Sequence, residues 1–462
     1  MTRMRRGGRV APAWAAKVLP LLVLATVARG GVPPLSFAPV VNVPLGPPDC
    51  TQDVDCSSGA LESTAADFNG DGKLDIATAN SNSFDVTIFL GDGQGGLTYK
   101  ATLAAAGGPA GIASGNLNND TKIDLVVSEE LDDNIAVFIA NGDGTFADGV
   151  TYPMGPSPEA VVLADFNGDG KLDVVVTDLF GESVSLRLGN GDGTFGELKQ
   201  TAVPGGPYGM AAAKLNADDR LDLAVSLYDD GLLATLIGQG DGTFTYAGTA
   251  SAAILDDAPR GVALADLNGD GKIDAAVATE SFDTVDVLLG NGDGTFQESV
   301  PYIVGGYPES VAIGDYNGDN IPDIASADSF GTDAFDGTAS VLVGKGNGTF
   351  DDSQQFQVDA GAFGITAADL NGDRLPDLVT ANIDVDNVSV LLNTGTPPTP
   401  SCVGDCNGDG MVAINELITG VNIALGSLPL SNCPAFDQNG NGMVGINELI
   451  AAVNNALNGC PA

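Results

Sequence analysis

The stretch that decides the fold is Asp67-Phe-Asn-Gly-Asp-Gly-Lys-Leu-Asp75, because close variants of it return along the whole chain. Seven copies are present, and successive copies begin 49 to 54 residues apart. They begin at Asp67, Asn116, Asp165, Lys214, Asp266, Asp315 and Asp369. A fixed period of this size is typical of proteins in which each repeat forms one supersecondary unit.

A second phrase, Gly-Asn-Gly-Asp-Gly-Thr-Phe in its fullest form, follows each of the first six copies. It occupies residues 91–97, 141–146, 189–195, 238–244, 290–296 and 344–350 with small changes. Short apolar runs such as Ala275-Ala-Val-Ala278 lie between the phrases, and the Asn-Gly and Asp-Gly pairs supply the positive φ angles of tight hairpins. This pattern predicts a mainly β protein, a seven-bladed β-propeller with four-stranded blades.

The seventh unit lacks its fourth strand, because a Pro/Thr stretch follows Val388-Ser-Val-Leu-Leu392. The segment Phe37 to Gly46 aligns without gaps to Phe146 to Gly155, which supplies the fourth strand of the second unit. An unclosed ring would expose strand edges, so we expect the N-terminal strand to close the propeller. The predicted propeller spans residues 35–395, and a loop stapled by Cys50 and Cys56 follows the closing strand.

The acidic loops carry oxygen side chains at positions 1, 3, 5 and 9, while position 7 offers its backbone carbonyl. Such loops are also good turns, but a turn does not need converging carboxylates, which repel one another without a cation. Hard oxygen ligands suit Ca²⁺ and suit zinc poorly. We therefore predict several bound Ca²⁺ ions. The predicted ligands in the propeller are Asp67, Asn69, Asp71, Lys73, Asp75, Asn116, Asn118, Asp120, Asp124, Asp165, Asn167, Asp169, Lys171, Asp173, Asn216, Asp218, Asp222, Asp266, Asn268, Asp270, Lys272, Asp274, Asp315, Asn317, Asp319, Asp323, Asp369, Asn371, Asp373 and Asp377.

Two of the seven loops depart from the pattern. The second begins with Asn116 and has one carboxylate fewer, so weaker affinity is expected. The fourth begins with Lys214, whose ammonium should repel the ion or replace it as an internal salt bridge. We expect the fourth site to be empty.

A Pro/Thr linker at residues 396–401 leads to a C-terminal unit, residues 402–462, with two twelve-residue loops of EF-hand pattern. The predicted calcium ligands there are Asp405, Asn407, Asp409, Met411, Glu416, Asp437, Asn439, Asn441, Met443 and Glu448. Each loop opens a predicted helix, and packing of the two loops back to back is expected to bury both apolar stripes, Leu417, Val421, Ala424, Leu425 and Leu449, Val453, Ala456, Leu457. Cys402, Cys406, Cys433 and Cys460 allow three pairings.

Residues 1–28 have the features of a signal peptide. Arg3 to Arg9 form a basic region, Val18 to Ala28 are uncharged, and small residues precede a cleavage position after Ala28. The uncharged run is too short to span a bilayer, which needs about 20 residues. We therefore expect export to the extracellular space or the cell surface, where six cysteines fit an oxidising compartment.

Composition excludes several functions. The chain has no histidine, which removes His-dependent catalysis and His-ligated metal sites. The net charge is −43, which disfavours nucleic acid and anionic membranes as direct partners. The only tryptophan, Trp14, lies in the predicted signal peptide, so the mature chain has no tryptophan on which a sugar could stack.

The repeats resemble the FG-GAP or VCBS repeats of secreted bacterial proteins and of the integrin α-subunit head, from Phe37 to about Gly395. The resemblance implies a seven-bladed propeller, Ca²⁺ in the hairpin loops of its lower face, and a role in adhesion or ligand binding. The C-terminal unit resembles a dockerin, the module that docks onto scaffolds bearing cohesins. Dockerins commonly carry Ser or Thr where this chain has Ile414-Asn415 and Ile446-Asn447. This departure argues against a standard cohesin as partner and leaves a calcium-stabilised accessory domain as the alternative.

The sequence thus favours a secreted, calcium-binding adhesion or ligand-binding protein without catalytic activity, whose partner is an extracellular protein or glycan. The alternatives are a carbohydrate-active, lyase-like enzyme, a scaffold-docked accessory protein of polysaccharide degradation, and a purely structural protein. The irregular segment Ser329 to Gly337 and the insertion from Cys50 to Cys56 are the expected contact elements.

Overall fold

A computed structural model of the chain describes residues 35–47, 57–246, 253–255, 258–331, 336–395, 403–404, 406, 411–425, 427–428, 430–436 and 444–458. The predicted signal peptide at 1–28, the Cys50–Cys56 insertion and the linker at 396–401 lie outside the described residues. Those predictions therefore remain predictions.

Seven antiparallel sheets form the blades, and in the first six the strand order from the centre outward follows the chain. In blade seven the outermost strand is instead β1, from the start of the propeller segment. The strand preceding blade one is β1 (Val41–Pro44). The strands of blades one to three are β2 (Ala60–Ala66), β3 (Asp75–Asn80), β4 (Asp85–Gly91), β5 (Leu97–Ala104), β6 (Pro109–Gly115), β7 (Asp124–Glu129), β8 (Asn134–Phe138), β9 (Val150–Pro153), β10 (Pro158–Ala164), β11 (Asp173–Asp178), β12 (Ser183–Gly189) and β13 (Phe195–Ala202). The strands of blades four and five are β14 (Pro207–Ala213), β15 (Asp222–Leu227), β16 (Leu232–Gly238), β17 (Phe244–Tyr246), β18 (Ala253–Ile254), β19 (Pro259–Ala265), β20 (Asp274–Thr279), β21 (Thr284–Leu288) and β22 (Val300–Ile303). Blades six and seven contain β23 (Gly306–Gly314), β24 (Asp323–Phe330), β25 (Thr338–Leu342), β26 (Gln354–Gln357), β27 (Ala362–Ala368), β28 (Asp377–Asn382) and β29 (Asn387–Leu391).

Blade four differs in its outer strand, where β17 and β18 both pair with β16. A single 3₁₀ turn, Glu280–Phe282, precedes β21 in blade five. The predicted fold class, a seven-bladed propeller with four-stranded blades, is confirmed.

The hydrophobic core lies between adjacent blades. The second strand of each blade contributes side chains to the core on both of its faces. In β11 every residue is buried. Val174 and Val176 pack toward blade two, whereas Val175 packs toward blade four. Successive side chains of a strand point to opposite faces, so a strand covered on both faces is apolar throughout rather than alternating.

Strand β1 closes the ring, as predicted. It pairs antiparallel with β29, with Val41 opposite Val390 and Pro44 opposite Asn387. A further bridge joins Phe37 to Asn393. Blade seven is therefore built from both ends of the propeller segment, which leaves the β29 edge paired.

The C-terminal unit contains helices α1 (Ile414–Ala424) and α2 (Ile446–Asn458) with two 3₁₀ turns between them, Leu430–Asn432 and Pro434–Phe436. A disulfide joins Cys406 to Cys433, which selects among the pairings left open by the sequence. The helices begin at Ile414 and Ile446, two residues before Glu416 and Glu448, the last loop positions at which the sequence predicts each helix to open. Across the described part of the chain, no helix has the length and apolar character needed to cross a membrane.

The expected burial of both apolar stripes is wrong in part. Leu417 and Leu449 pack against the small core of this unit. The other positions of the stripes point outward: Val421 is 44% exposed, Leu425 73%, Val453 43% and Leu457 76%. The reason is the ring of Phe436, which lies directly on Gly420. That contact turns the buried face of α1 toward Glu416, Gly420 and Ile423.

Candidate calcium loops and a central cavity

All seven acidic loops lie at the same end of the propeller. Each connects an inner strand to the second strand of its blade, as residues 67–75 connect β2 to β3. The inner strands all run in the same direction along the central axis, since each blade repeats the same topology. The acidic loops therefore mark one end, and the starts of the inner strands mark the other.

The first aspartate of an intact loop organises the backbone around its carboxylate. Asp67 Oδ1 accepts hydrogen bonds from the N–H groups of Gly70 and Asp71 at 2.7 and 3.2 Å. Its Oδ2 accepts from Gly72 N–H at 2.8 Å. Gly70 and Gly72 have φ angles of 76° and 83°, which glycine adopts without steric cost. The same arrangement recurs at Asp165, Asp266, Asp315 and Asp369.

The aspartate at position 9 has a structural role that sequence reasoning missed. Asp75 is completely buried, and its two oxygens accept the N–H groups of Phe68 at 2.9 Å and Gly91 at 2.8 Å. It thereby ties the acidic loop to the end of β4. The equivalent pair of hydrogen bonds is made by Asp124, Asp173, Asp222, Asp274, Asp323 and Asp377.

A signal for this second role is present in the sequence. Position 9 is aspartate even in the second and fourth loops, which have lost the first aspartate. Burial raises the pKa of Asp75 above its ordinary value, and the nearby carboxylates of Asp67 and Asp71 add to the effect. Burial likewise raises the pKa of Asp323 to about 7 and that of Asp377 to about 6.

The donor set of the intact loops fits Ca²⁺ in its chemistry. Asp67, Asn69 and Asp71 bring hard oxygen atoms to one short loop, and carboxylate oxygens that accept one N–H keep lone pairs for a cation. In the second loop, Asn116 Oδ1 is buried without a hydrogen-bond partner among the described residues, and a cation would satisfy it. The described residues contain no group of three or more His, Cys, Asp or Glu side chains already placed to hold a metal. Backbone amides engage many of the carboxylate oxygens of the loops.

Position 7 partly neutralises its own loop. The Lys73 backbone N–H donates to Asp71 Oδ1 at 3.0 Å, and Lys73 Nζ lies 3.6 Å from Asp71 Oδ2. The side chain also covers Gly93 of the second phrase. Lys171 and Lys272 repeat this arrangement in blades three and five.

The fourth loop is neutralised more fully. Lys214 Nζ pairs with Asp219 Oδ1 at 3.3 Å, not with the ligand-position carboxylates. Arg220 at position 7 pairs with Asp218. The positively charged side chains of Lys214 and Arg220 thus occupy the loop in which Ca²⁺ is least expected. That this calcium site is empty stays a prediction.

In the C-terminal unit the structure describes only part of the predicted sites. The predicted ligands Asp405, Asn407, Asp409, Asp437, Asn439, Asn441 and Met443, and the side chain of Glu448, lie outside the described residues. Glu416 is buried and accepts the N–H groups of Cys406 and Ala413, both at 2.8 Å. Met411 is exposed. The EF-hand interpretation therefore remains a prediction.

At the opposite end of the propeller, the starts of the inner strands enclose a cavity of about 180 Å³. All seven inner strands contribute to its lining, which includes the carboxylates of Glu62, Glu159 and Glu309 and the rings of Tyr208 and Phe363. The sequence does not reveal this cavity, because its lining residues come from seven inner strands that lie far apart along the chain.

Each inner strand reaches the cavity through an irregularity in its pairing with the second strand, as between Pro158 and Val161. Buried hydroxyls hold these irregular segments against the next blade. Ser226 Oγ accepts Gly209 N–H at 2.8 Å and donates to the Arg260 carbonyl at 2.7 Å. Thr177 Oγ1 donates to the Tyr208 carbonyl at 2.6 Å. The residues around the cavity are thus fixed by hydrogen bonds between side-chain hydroxyls of one blade and backbone carbonyls of the next.

Arg260 lies beside the cavity, where it forms ion pairs and contacts aromatic rings. Its guanidinium donates to Glu280 Oε2 at 2.7 and 2.9 Å and lies 3.2 Å from Glu309 Oε2. It also lies 4.7 and 4.8 Å from the ring centroids of Tyr208 and Tyr228, within the range of cation–π attraction. Burial of the charged form raises the pKa of Glu62 to about 8 and those of Glu159 and Glu309 to about 7.

Exposed apolar side chains lie at the cavity end. Six blades present one in or at the start of the connection between the second and third strands: Phe84, Leu131, Phe180, Phe282, Phe330 and Val385. Of the expected contact elements, residues 50–56 and 332–335 lie outside the described residues. Phe330, at the start of the irregular segment in blade six, is 39% exposed and packs edge-on against Tyr307.

Several solved structures share the fold. Virginiamycin B lyase from Staphylococcus aureus is 12% identical, with 77% of this chain and 99% of that chain covered and a TM-score of 0.50. A streptogramin B lyase is 14% identical, with 78% and 98% covered and a TM-score of 0.50. BBS1N, solved in complex with ARL6DN, is 13% identical, with 78% and 96% covered and a TM-score of 0.53. At these identities the likeness concerns the fold alone.

No curated protein matches the chain in sequence. The model of the FG-GAP-like repeat matches five overlapping segments: residues 67–127, 116–176, 165–225, 214–277 and 266–326. Together these segments run from the first acidic loop through the sixth and cover more than half of the chain. The chain belongs to the FG-GAP-like repeat family.

Proposed function

We propose that this chain is a secreted, calcium-stabilised propeller that binds an extracellular protein or glycan and has no catalytic activity. The observation that carries the proposal is that the two ends of the ring have different features. The acidic loops lie at one end, whereas the cavity and the exposed apolar side chains lie at the other. Calcium at one end can stiffen the blades without occupying the surface that meets a partner.

The surface at the cavity end supports a binding role. Phe180 is 76% exposed and Phe282 is 57% exposed, although large apolar groups at the surface cost free energy unless a partner covers them. They are repeated around the ring, so a partner could contact several blades at once. Loops positioned by a rigid scaffold are the usual place for such contacts.

The competing function is a carbohydrate-active enzyme. In a chain without histidine, acid–base chemistry at neutral pH would fall to carboxylates whose pKa is raised, and Glu159 and Glu309 are such groups. A change at either residue would then abolish turnover, whereas a binding protein has no turnover to lose.

The test is a screen of immobilised glycans and extracellular proteins, with millimolar Ca²⁺ and with chelator, accompanied by assays for polysaccharide cleavage. For any hit, Phe180→Ser and Phe282→Ser should weaken binding. Ile303→Ser is the matched control, because Ile303 is 75% exposed on the outer strand β22. Binding unaffected by the first two changes, or cleavage lost in Glu159→Gln, would contradict the proposal.

A second proposal concerns the C-terminal unit, which we propose acts as a docking module. Its support is the row of exposed apolar residues that both helices present: Ile414, Ile418, Val421 and Leu425 on α1, and Ile450, Val453 and Leu457 on α2. The candidate partner is a scaffold of cohesin type whose specificity differs from the standard one, because Ile414-Asn415 and Ile446-Asn447 stand where dockerins commonly carry Ser or Thr. Ile418→Lys and Ile450→Lys should abolish co-migration of the full chain with such a scaffold, while Asn454→Lys, an exposed position on α2, should not. No co-migration of the parent chain would remove this proposal.

A further inference from the structure

We infer that the central cavity is a binding site for an organic cation, an alkylammonium or guanidinium group with an apolar stem. The inference rests on the proposal that the cavity end is the ligand-binding end of the propeller. It adds to that proposal the chemical class of the ligand group that the cavity binds.

The charge of the lining selects a cation. Three carboxylates line the cavity, those of Glu62, Glu159 and Glu309, and the lining contains no basic residue. Arg260 stands outside the lining, and its two ion pairs engage Glu280 and Glu309. Arg260 also attracts the Glu159 carboxylate, at a longer range than an ion pair. Glu62 has neither interaction with Arg260 among the described residues. An anionic ligand would be repelled by these carboxylates in their ionised form.

One carboxylate oxygen in the lining lacks a donor. Glu309 is 8% exposed, and its Oε2 has no hydrogen-bond partner among the described residues. The Arg260 Nε atom lies 3.2 Å away, so the two groups attract as charges, but their geometry is not that of a hydrogen bond. Leaving a buried charged acceptor without a donor is costly, and a ligand N–H in the cavity would remove that cost.

The position of Glu62 is a second irregularity. It lies five residues before its acidic loop, where the other blades carry Gly111, Ala160, Gly209, Gly261, Ser310 and Gly364. At Gly209 an added Cβ would meet the backbone of the next inner strand at 2.1 Å, which explains the small residues. Only blade one places a carboxylate here, where it has room because Gly364 opposite it has no side chain. A large acidic residue at a position that holds Gly, Ala or Ser in the other blades indicates that its charge has a function.

The lining fits an organic cation better than a metal ion. Glu62, Glu159 and Glu309 come from three separate inner strands, whereas each intact acidic loop brings its oxygen ligands from one short segment. A cation with several N–H donors can instead reach separated carboxylates. Phe363, Met210 and Val311 provide apolar surface beside them for the stem of the ligand. Arg260, held between carboxylates and two tyrosine rings, shows that this part of the ring already stabilises a guanidinium.

Cation binding should be coupled to proton release. Burial raises the pKa of all three lining carboxylates, most for Glu62. The other ionisable groups that face them are Glu130, Glu280, Arg260, Tyr208 and Tyr228. A bound cation favours the ionised carboxylates. Affinity should therefore rise as the pH is raised from about 5 to about 8.

The test is calorimetry and ligand-observed NMR with the full chain in saturating Ca²⁺, using pentylamine as the probe. Pentanol and pentanoate have the same stem without the positive charge, and we expect neither to bind. Glu62→Ala and Glu159→Ala introduce residues that sister blades carry at these positions, and each should weaken pentylamine binding about tenfold. Glu197→Ala, on the exposed part of β13, is the matched control and should have no effect. Equal binding of pentylamine and pentanol, or pentylamine affinity unchanged in both cavity variants, would overturn the inference.

Two further arms separate the sources of the cation and the two proposals. A short peptide with a central lysine between leucines should bind if a partner supplies the group, and acetylation of that lysine should abolish binding. Binding of pentylamine but not of the peptide assigns the cavity to a free amine. If Phe180→Ser weakens binding of a macromolecular partner while Glu62→Ala and Glu159→Ala do not, the proposed function stands and the cation site fails. Loss of amine binding only in the cavity variants supports the cation site whatever the screen for partners finds.

Discussion

At the scale of single residues, the aspartate at position 9 joins loop to strand in every blade. Asp222 accepts the N–H groups of Leu215 and Gly238 although its loop begins with Lys214. In Asp222→Asn, the remaining side-chain oxygen still accepts one of these two N–H groups. The new amide NH₂ faces the other buried N–H, which is left without an acceptor. We expect a loss of about 1–3 kcal/mol, measured as unfolding free energy in chelator. Asp173→Asn in blade three should lose a similar amount under the same conditions. A negligible effect of both changes in chelator would mean that position 9 serves only the metal.

Backbone strain in the second loop can be tested directly. Thr121 occupies the place of Gly72 and has a φ of 74°, a left-handed conformation that is unfavourable for a β-branched residue. Thr121→Gly should therefore stabilise the chain by about 1 kcal/mol. The reciprocal change Gly72→Thr should destabilise blade one, although its Cβ would have open space. Denaturant unfolding of both variants checks the sign, and a less stable Thr121→Gly chain would contradict it.

The buried carboxylate of Glu62 makes stability depend on pH. Burial raises its pKa from 4.5 to about 8, so the folded chain holds a proton that the unfolded chain releases. The stability this provides is complete below pH 4.5 and is lost as the pH rises through about 8. The melting temperature at constant Ca²⁺ should fall across that window, and Glu62→Gln should reduce the fall. The exposed Glu197→Gln is the control, and identical pH profiles for all three proteins would refute the role of Glu62.

At the scale of elements, the closing strand β1 carries the clearest prediction. Deletion of Leu35 to Leu45 should leave the edge of β29 unpaired, because its hydrogen-bonded partners Val41 to Pro44 are gone. We expect a lower melting temperature and aggregation, measured by calorimetry and light scattering. A synthetic peptide of residues 35–45 added in trans should restore the parent behaviour. Unchanged melting of the truncated chain would contradict the closure.

The two repeated phrases are predictable from sequence because local chemistry fixes them. Gly and Asp at set spacings determine the hairpins, and the structure adds why the phrases occur together. Gly144 of the second phrase donates its N–H to the Phe68 carbonyl in the acidic loop of the preceding blade. Gly193 makes the same bond to Leu117. The phrases are therefore the two halves of a contact between blades, which the repeat period alone does not reveal.

The features that sequence reasoning missed depend on contacts between distant elements. The cavity arises where seven inner strands converge, and nothing local to Glu62 or Glu309 signals that their charges interact. The rotation of α1 follows from Phe436, which lies sixteen residues after Gly420 and packs onto it. A helical period identifies an apolar face, but only the tertiary contact decides which edge of that face is covered.

At the scale of the whole molecule, the net charge of −43 opposes a compact fold, and the acidic loops concentrate part of that charge at one end of the ring. A cation bound only by the folded state adds about 2.7 kcal/mol per site at a hundred times its dissociation constant. Several filled loops would thus rival the entire stability of an ordinary domain. The fourth loop, with Lys214 and Arg220 in place, needs no such ion.

The most direct test of the account is the melting temperature of the full chain in chelator and in millimolar Ca²⁺. We predict a steep loss of stability on chelation. Asp165→Ala should shrink the difference between the two conditions, because it removes a ligand and the hydrogen bonds that shape its loop. Asn216→Ala in the fourth loop should leave the difference unchanged. Equal melting of the parent chain in chelator and in Ca²⁺ would contradict the claim that calcium holds this propeller together.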